Sequence, residues 1–285
     1  MISDRLARPS AIVSIRLPAA LRAGISFISG PMARAASAVL GVALLLIFWG
    51  SVSRLLAADL PGPIPTLRVF WDLVSNPFYD AGPNDKGIGL QLFASLQRVA
   101  IGFFVGTLIA VPLGILIGIS PLLRRVMDPI IQVMRPVSPL AWFPIGLVVF
   151  QSAPSAAVFI ICVTSLWPTM INTAFGAGSL PREHRDVARV FQFSRSRYFL
   201  RVLLPYSLPY ILTGMRLSMG IAWMVIVAGE MLSGGTGIGF FIWDSWNALS
   251  LERVISAIVL IGCVGLLLDR AFAMLTARFS YQEND

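Results

Sequence analysis

The chain has 285 residues, 56% of them hydrophobic and only 13% charged, and its mean hydropathy is +0.80. Soluble domains carry about 25% charged residues, so lipid must supply much of this protein's solvent. The net charge of +8 is gathered into particular loops, which favours a membrane surface over nucleic acid as its partner. Cys162 and Cys263 lie inside apolar runs, and His184 is the single histidine. That leaves no material for a disulfide framework, a zinc centre or a His-based triad. No GxxxxGK[ST] stretch occurs, so ATP is not expected to bind through a P-loop of this chain.

Residues 1–35 form a basic segment, with five arginines against Asp4. Ile12, Val13, Ile15 and Leu17 among them read either as a short interfacial helix or as a basic tail. No small-residue cleavage site closes the apolar stretch that follows, so a signal peptide is not expected. The first span is predicted at 36–56, and an acidic outer segment completes a region reaching residue 88. The main transmembrane domain is expected over 89–278, ahead of a short tail at 279–285. Its spans are predicted at 92–119, 129–151, 156–175, 209–231 and 254–275, each long enough for a hydrocarbon core of about 30 Å. Pro136, Pro139 and Pro144 forbid a regular helix through the third span, which should be kinked or unwound and buried in protein or lining a cavity. Glycines and aromatics at 232–253 read as a re-entrant or interfacial element. Fifteen arginines and lysines fall on the N-terminal side of the membrane against four on the other, which predicts cytoplasmic termini.

A polar island at 181–205 separates the fourth and fifth spans. It carries six arginines against Glu183 and Asp186. Acidic residues behind Pro181 favour a helix start, and Val187, Val190 and Phe191 recur at helical spacing. The amphipathic helix this predicts is too short to cross a bilayer. It reads either as a docking element or as a solvated loop that fixes orientation. Ala188 and Phe191, three apart, are expected on one outward face.

Charges inside spans are costly and therefore informative. Arg98, Arg135, Arg216, Glu230 and Asp269 are the candidates, each of which can also be a structural ion pair or a snorkelling side chain. Arg216 is expected about one turn into its span. Arg135 adjoins the proline-broken segment with Ser138 and Trp142, where an anion pathway would find positive charge and donors. Alternatively, it only anchors the topology. Thr164, Trp167 and Asn172 are further pathway candidates that can equally be packing residues. Glu230 stands before a glycine-rich turn and can brace an outer gate. The GGTGIG run there lacks the lysine and the context of a phosphate loop.

The island resembles the EAA loop of ABC importer membrane subunits, whose pattern reads Glu-Ala-Ala, three residues, Gly, nine residues, Ile, one residue, Leu-Pro. Here the positions are Asp186-Val187-Ala188, Gln192, Val202 and Leu204-Pro205. Gln192 in place of glycine departs from the pattern and puts its sharp turn in question. The stretches at 78–104, 135–147 (RPVSPLAWFPIGL), 165–174 (SLWPTMINTA) and 230–247 (EMLSGGTGIGFFIWDSWN) resemble permeases of the nitrate/sulfonate/taurine importer group, most of all its nitrate branch. The likeness runs from about residue 64 to 275. It implies an all-α polytopic membrane protein of six transmembrane helices with the type I ABC importer permease fold.

The same resemblance implies a bacterial inner-membrane transport subunit rather than an enzyme. It would work as a homodimer on cytoplasmic ATPase subunits, fed by a periplasmic or lipid-anchored substrate-binding protein. Asp186, Val187, Ala188, Phe191, Gln192, Leu204 and Pro205 would couple to the ATPase. Arg98, Arg135, Ser138, Trp142, Thr164, Trp167 and Glu230 are the residues expected along the pathway or its gate. No cofactor is expected on this chain, with ATP and magnesium held by the partner. The implied substrate is nitrate or nitrite, with bicarbonate, cyanate or an alkyl sulfonate as alternatives. An ion-coupled secondary transporter would need an acidic or histidine relay near the midplane, and the sequence offers little for one: a single histidine outside the spans, and span acids only near their ends.

Overall fold

The computed structural model describes residues 31–55, 60–82 and 85–279. The interfacial helix or basic tail expected within 1–30, and the end of the C-terminal tail, lie outside the described residues. Compact units divide at Pro63. In the first unit, α1 (Pro31–Leu55) is a 25-residue apolar helix. From its last turns, the Trp49 indole donates to the Pro61 carbonyl at 3.1 Å and the Ser53 hydroxyl to Leu60 O at 2.6 Å, holding the chain as it leaves the helix.

The second unit is all helix apart from loops, with no strand among the described residues. After α2 (Pro63–Ser75) come α3 (Ile88–Ile119), α4 (Pro121–Met134), a 3-10 turn at Pro139–Trp142, and α5 (Phe143–Phe150). Then follow α6 (Ala153–Gly178), α7 (Arg182–Val190) and α8 (Arg195–Tyr198). A π turn at Phe199–Leu203 leads into α9 (Leu204–Ser233), and α10 (Ile238–Asn247) and α11 (Leu251–Phe279) complete the chain. Five helical stretches are long and apolar enough to cross a membrane. The remaining expected span is the pair α4 and α5, bent by 94°, and counted as one span it makes six.

Local chemistry explains these breaks. Ser120 leaves α3 in extended conformation, its hydroxyl accepts from Leu123 N, and Pro121 opens α4. Helix α4 then ends at Met134, one residue short of Arg135-Pro136. The ring of Pro136 disfavours a further helical turn before it, and Pro136, Pro139 and Pro144 contribute no amide donors.

The core is the stack of α3 on α6 and α6 on α9. On α3, Gly102, Gly106, Ala110, Gly114 and Gly118 recur every four residues and form one ridge. A methyl group added at Gly106 would stand 2.6 Å from the Cys162 carbonyl, and one at Gly118 would stand 2.5 Å from that of Ala174. The two backbones therefore nearly touch, a contact that only small residues permit. Val99, Phe103, Ile160, Ile161, Ala222 and Ile226 fill the layer alongside. Helix α11 joins α9 through the Trp223 indole, which donates to Ile261 O at 3.1 Å. Arg216 grips Asp269 with two bonds of 2.6 and 2.7 Å. Because α9 already begins at Leu204, Arg216 lies about three turns into the span rather than one. Pro205 sits in its first turn, where a proline's missing donor costs least, and Pro209 lies inside the helix about one turn on.

Candidate functional site

The polar island folds as predicted into a short amphipathic helix, α7, ended by Phe191 and Gln192. Gln192 adopts φ 48°. The sharp turn that glycine makes in the family pattern is thus kept, with a glutamine in the left-handed region at a cost of about 1–2 kcal/mol. Val187, Val190 and Phe191 are 54%, 77% and 68% exposed and share one face. Ala188 does not join them. It is 5% exposed and turned toward its own chain, which corrects the expectation of a common outward face. The apolar phase of the helix is set by its large side chains, and the small alanine lets the opposite side approach α8. Asp186 is exposed and meets Arg189 at 3.5 Å. Leu204 and Pro205 are half-buried at the start of α9. Leu204 packs against the small core of Ile115, Ala177, Leu180 and Leu203, which moors the loop to the spans.

The pathway candidates separate into two places. A cavity of about 390 Å³ opens where the α4–α5 break faces α6 and α9. Arg135, Trp142, Thr164, Trp167 and Asn172 line it, closed on the α9 side by Leu217 and Ile221. No carboxylate lines this cavity, and no ion pair engages Arg135 among the described residues. The indole N–H groups of Trp142 and Trp167 also lack a protein acceptor there. Thr164 and Asn172 are partly committed: the hydroxyl donates to Ile160 O at 2.6 Å, and the amide to Pro168 O at 2.8 Å. Ser138 stands exposed at the start of the 3-10 turn, makes no side-chain cap hydrogen bond, and is not part of the lining.

Arg98 and Glu230 meet elsewhere, in a buried polar knot between α3, the end of α9 and the glycine turn. Arg98 Nη1 binds Glu230 Oε1 at 2.5 Å, and its Nη2 donates to Thr236 Oγ1 at 2.8 Å. Ser95 donates to Glu230 Oε2 at 2.7 Å, and Gly239 N reaches the same oxygen at 3.1 Å. Gly237 N and Ile238 N donate to Gln91 Oε1 and Ser95 Oγ at 2.6 and 2.8 Å. The amides that open α10, which resemble a phosphate loop in sequence, are thus spent on the protein's own side chains. Gly237 is at φ 133°, and a Cβ there would collide with the Glu230 carboxyl. The charge pair, Glu230 with Arg98, was named in sequence as two separate candidates. Gln91, Ser95 and Thr236 were missed, since nothing in their local pattern signals partners more than 130 positions away.

A family model described as binding-protein-dependent transport system inner membrane component matches residues 110–281. The chain belongs to this family. Among its relatives, the nitrate import permease protein NrtB of Synechocystis sp. is 45% identical over 251 residues, covering 88% of this chain and 90% of that one. NrtB of Leptolyngbya laminosa is 48% identical over 216 residues, 76% of this chain and 77% of that one. The bicarbonate transport system permease protein CmpB of Synechococcus elongatus is 44% identical over 238 residues, 82% and 86% of the two chains. Among solved structures, an inward facing conformation of the MetNI methionine ABC transporter aligns with a TM-score of 0.59. The identity is 15%, covering 67% of this chain and 95% of that one. The fold is therefore that of the type I ABC importer permeases. As a family member the protein is a multi-pass inner membrane transport subunit, and membership implies an ATPase and a substrate-binding protein as its partners.

Proposed function

We propose that this chain forms the membrane path of an ATP-driven nitrate importer, with nitrate entering the cell past the cavity at the α4–α5 break. The observation that carries the reading is the cavity's electrostatics. Arg135 is unpaired at a wall without carboxylates, beside two unspent indole donors. A small anion needs positive potential and donors that hold it weakly enough to let go. Two copies of the chain would face each other around the path, with both termini cytoplasmic. Helix α7 would dock on the ATPase through Val187, Val190 and Phe191, while ATP and magnesium stay on that partner. The Arg98–Glu230 knot would brace the far end of the path. The choice of nitrate rests on the relatives called nitrate permeases.

Bicarbonate is the second reading, because relatives named for it are nearly as similar. The test is uptake of isotope-labelled nitrate by proteoliposomes holding the permease, ATPase and binding protein, competed with bicarbonate, cyanate and an alkyl sulfonate. ATP-dependent nitrate uptake that a tenfold excess of bicarbonate leaves intact is expected. Uptake of bicarbonate alone would replace nitrate by the second reading. No ATP-dependent uptake of either would remove the proposal.

A further inference from the structure

The island's surplus of arginine is not used by an apolar docking face. On α7, Arg185, Ala188 and Arg189 share the side opposite Val187, Val190 and Phe191, as helical spacing requires. That side closes over a crevice of about 360 Å³. Gly118 and Ile119 at the end of α3, Gly178 at the end of α6, and Arg185, Arg195 and Tyr198 form its walls. A smaller hollow of about 300 Å³ shares Arg185, Arg195 and Tyr198 with it. Arg124 reaches the rim from α4, where a methyl group built on Gly178 would stand 3.6 Å from both its Nη atoms.

Two guanidinium groups, those of Arg185 and Arg195, thus line one crevice, and that of Arg124 stands beside its Gly178 wall. The ion pairs among the described residues are Lys86–Asp80, Arg98–Glu230, Arg189–Asp186 and Arg216–Asp269, and none of them involves Arg124, Arg185 or Arg195. Arg185 spends one donor on the Leu180 carbonyl at 2.8 Å, which fixes its stem and leaves the rest of its fork free. Like charges held together beside an apolar wall repel one another unless an anion joins them. Planar guanidinium forks match the oxygens of a phosphate group, with two parallel bonds from each.

We propose that this crevice binds a phosphate group, with Arg124, Arg185 and Arg195 as its cationic donors and the Tyr198 hydroxyl beside them. The crevice lies where α3 and α6 end, which is headgroup level for helices that cross a bilayer. Ile119, 51% exposed, continues its wall onto the outer face of α3. An anionic phospholipid can therefore place its phosphate in the crevice and its acyl chain along that face. Free phosphate offers the same chemistry without the chain.

Native mass spectrometry of the purified full chain would count bound dioleoylphosphatidylglycerol against dioleoylphosphatidylcholine, and titration calorimetry would follow inorganic phosphate. Each basic residue near an anionic headgroup contributes about fivefold in affinity, so Arg124→Gln with Arg195→Gln should weaken binding about 25-fold. Arg182→Gln, exposed on α7 and outside the crevice, should leave it unchanged. Preference for the glycerol lipid that the double variant loses identifies a lipid site. A phosphate titration lost in the double variant, with no lipid preference, identifies a site for the free anion. Unchanged binding in a correctly folded double variant overturns the proposal. So does a wild-type protein that prefers neither ligand, or a double variant that loses only ATPase co-purification.

Discussion

Replacing Glu230 by alanine should be among the most damaging single changes in the chain. The Glu230 side chain is 1% exposed and that of Arg98 is 13% exposed, so the guanidinium would be stranded out of water without its counter-ion. Breaking a buried pair from one side costs about 3–5 kcal/mol. The same substitution removes the acceptor of Ser95 Oγ and Gly239 N, so the upper part of that range is expected. Glu230→Gln keeps an acceptor and the side chain's shape, and should cost about 1.5–3 kcal/mol, the worth of hydrogen bonds to a charged group. Arg98→Ala should also destabilise, but the double variant should lose less than the two singles together, by about 2–3 kcal/mol. The assay is reversible unfolding of the purified permease in mixed micelles, followed by helix content and tryptophan fluorescence across all four members of the cycle. Additivity within about 0.5 kcal/mol would refute the argument, because it would mean that the two charges do not sense each other. The Glu230→Ala protein should also leak anion without ATP if the knot holds the far end closed.

Four further outcomes are expected. Phe191→Ala and Val187→Asp should abolish ATPase co-purification with membrane insertion intact, whereas Ala188→Asp should lower this chain's own melting temperature, since it places a charge where the side chain is 5% exposed. Gln192→Gly should stabilise the loop by up to about 1 kcal/mol by relieving φ 48°, read as slower tryptic cleavage at Arg189 and Arg195, and Gln192→Val should speed that cleavage. Gly106→Val should cost about 1–3 kcal/mol or more in the same micelle assay, because α3 must move away from the Cys162 carbonyl. Lys86 beside Asp80 holds the aspartate carboxyl below its ordinary value, so their contact contributes above the unfolded value of about 3.9 and is lost as pH falls through the lower folded one. Amide exchange at Gly87, bonded to Tyr79 O, should therefore accelerate only in strong acid, and Lys86→Met should move that step up toward the ordinary aspartate range.

Some of this architecture is written locally in the chain. Three prolines in nine residues announce the break between α4 and α5 because each removes a donor at a known position. Helix α7 shows itself by charge and by three large apolar residues at helical spacing. The start of α9 was placed too late because Pro205 and Pro209 look like breakers, yet Pro205 falls in its first turn and the helix runs on through Pro209. The four-residue spacing of Gly102, Gly106, Gly114 and Gly118 is present in the sequence, but only the facing carbonyls of α6 give it meaning. Arg98 and Glu230 could each be named from their cost in a membrane, while their pairing depends on how three helices and a turn converge. The side of α7 that holds Ala188 was misjudged because alanine is compatible with either face.

Residues 195–233 run as one span of 39 residues, joining the loop beyond α7 to the glycine turn. The irregular points of this rod, the π turn at Phe199–Leu203 and Pro209, both lie at the loop end. From residue 210 to 230 the backbone contains neither, and at 1.5 Å per residue that stretch is about 30 Å long. Bends concentrate at prolines and π turns, so the rest of the rod turns as one piece. A swing of about 10° about its lower joint carries the far tip sideways by about 5 Å on this rise, enough to pull Glu230 out of hydrogen-bonding range of Arg98 and Ser95. If the ATPase pulls at α7 and the Arg98–Glu230 knot closes the path, this helix would work as a crank, with its flexible joint beside the handle and its stiff arm ending at a latch.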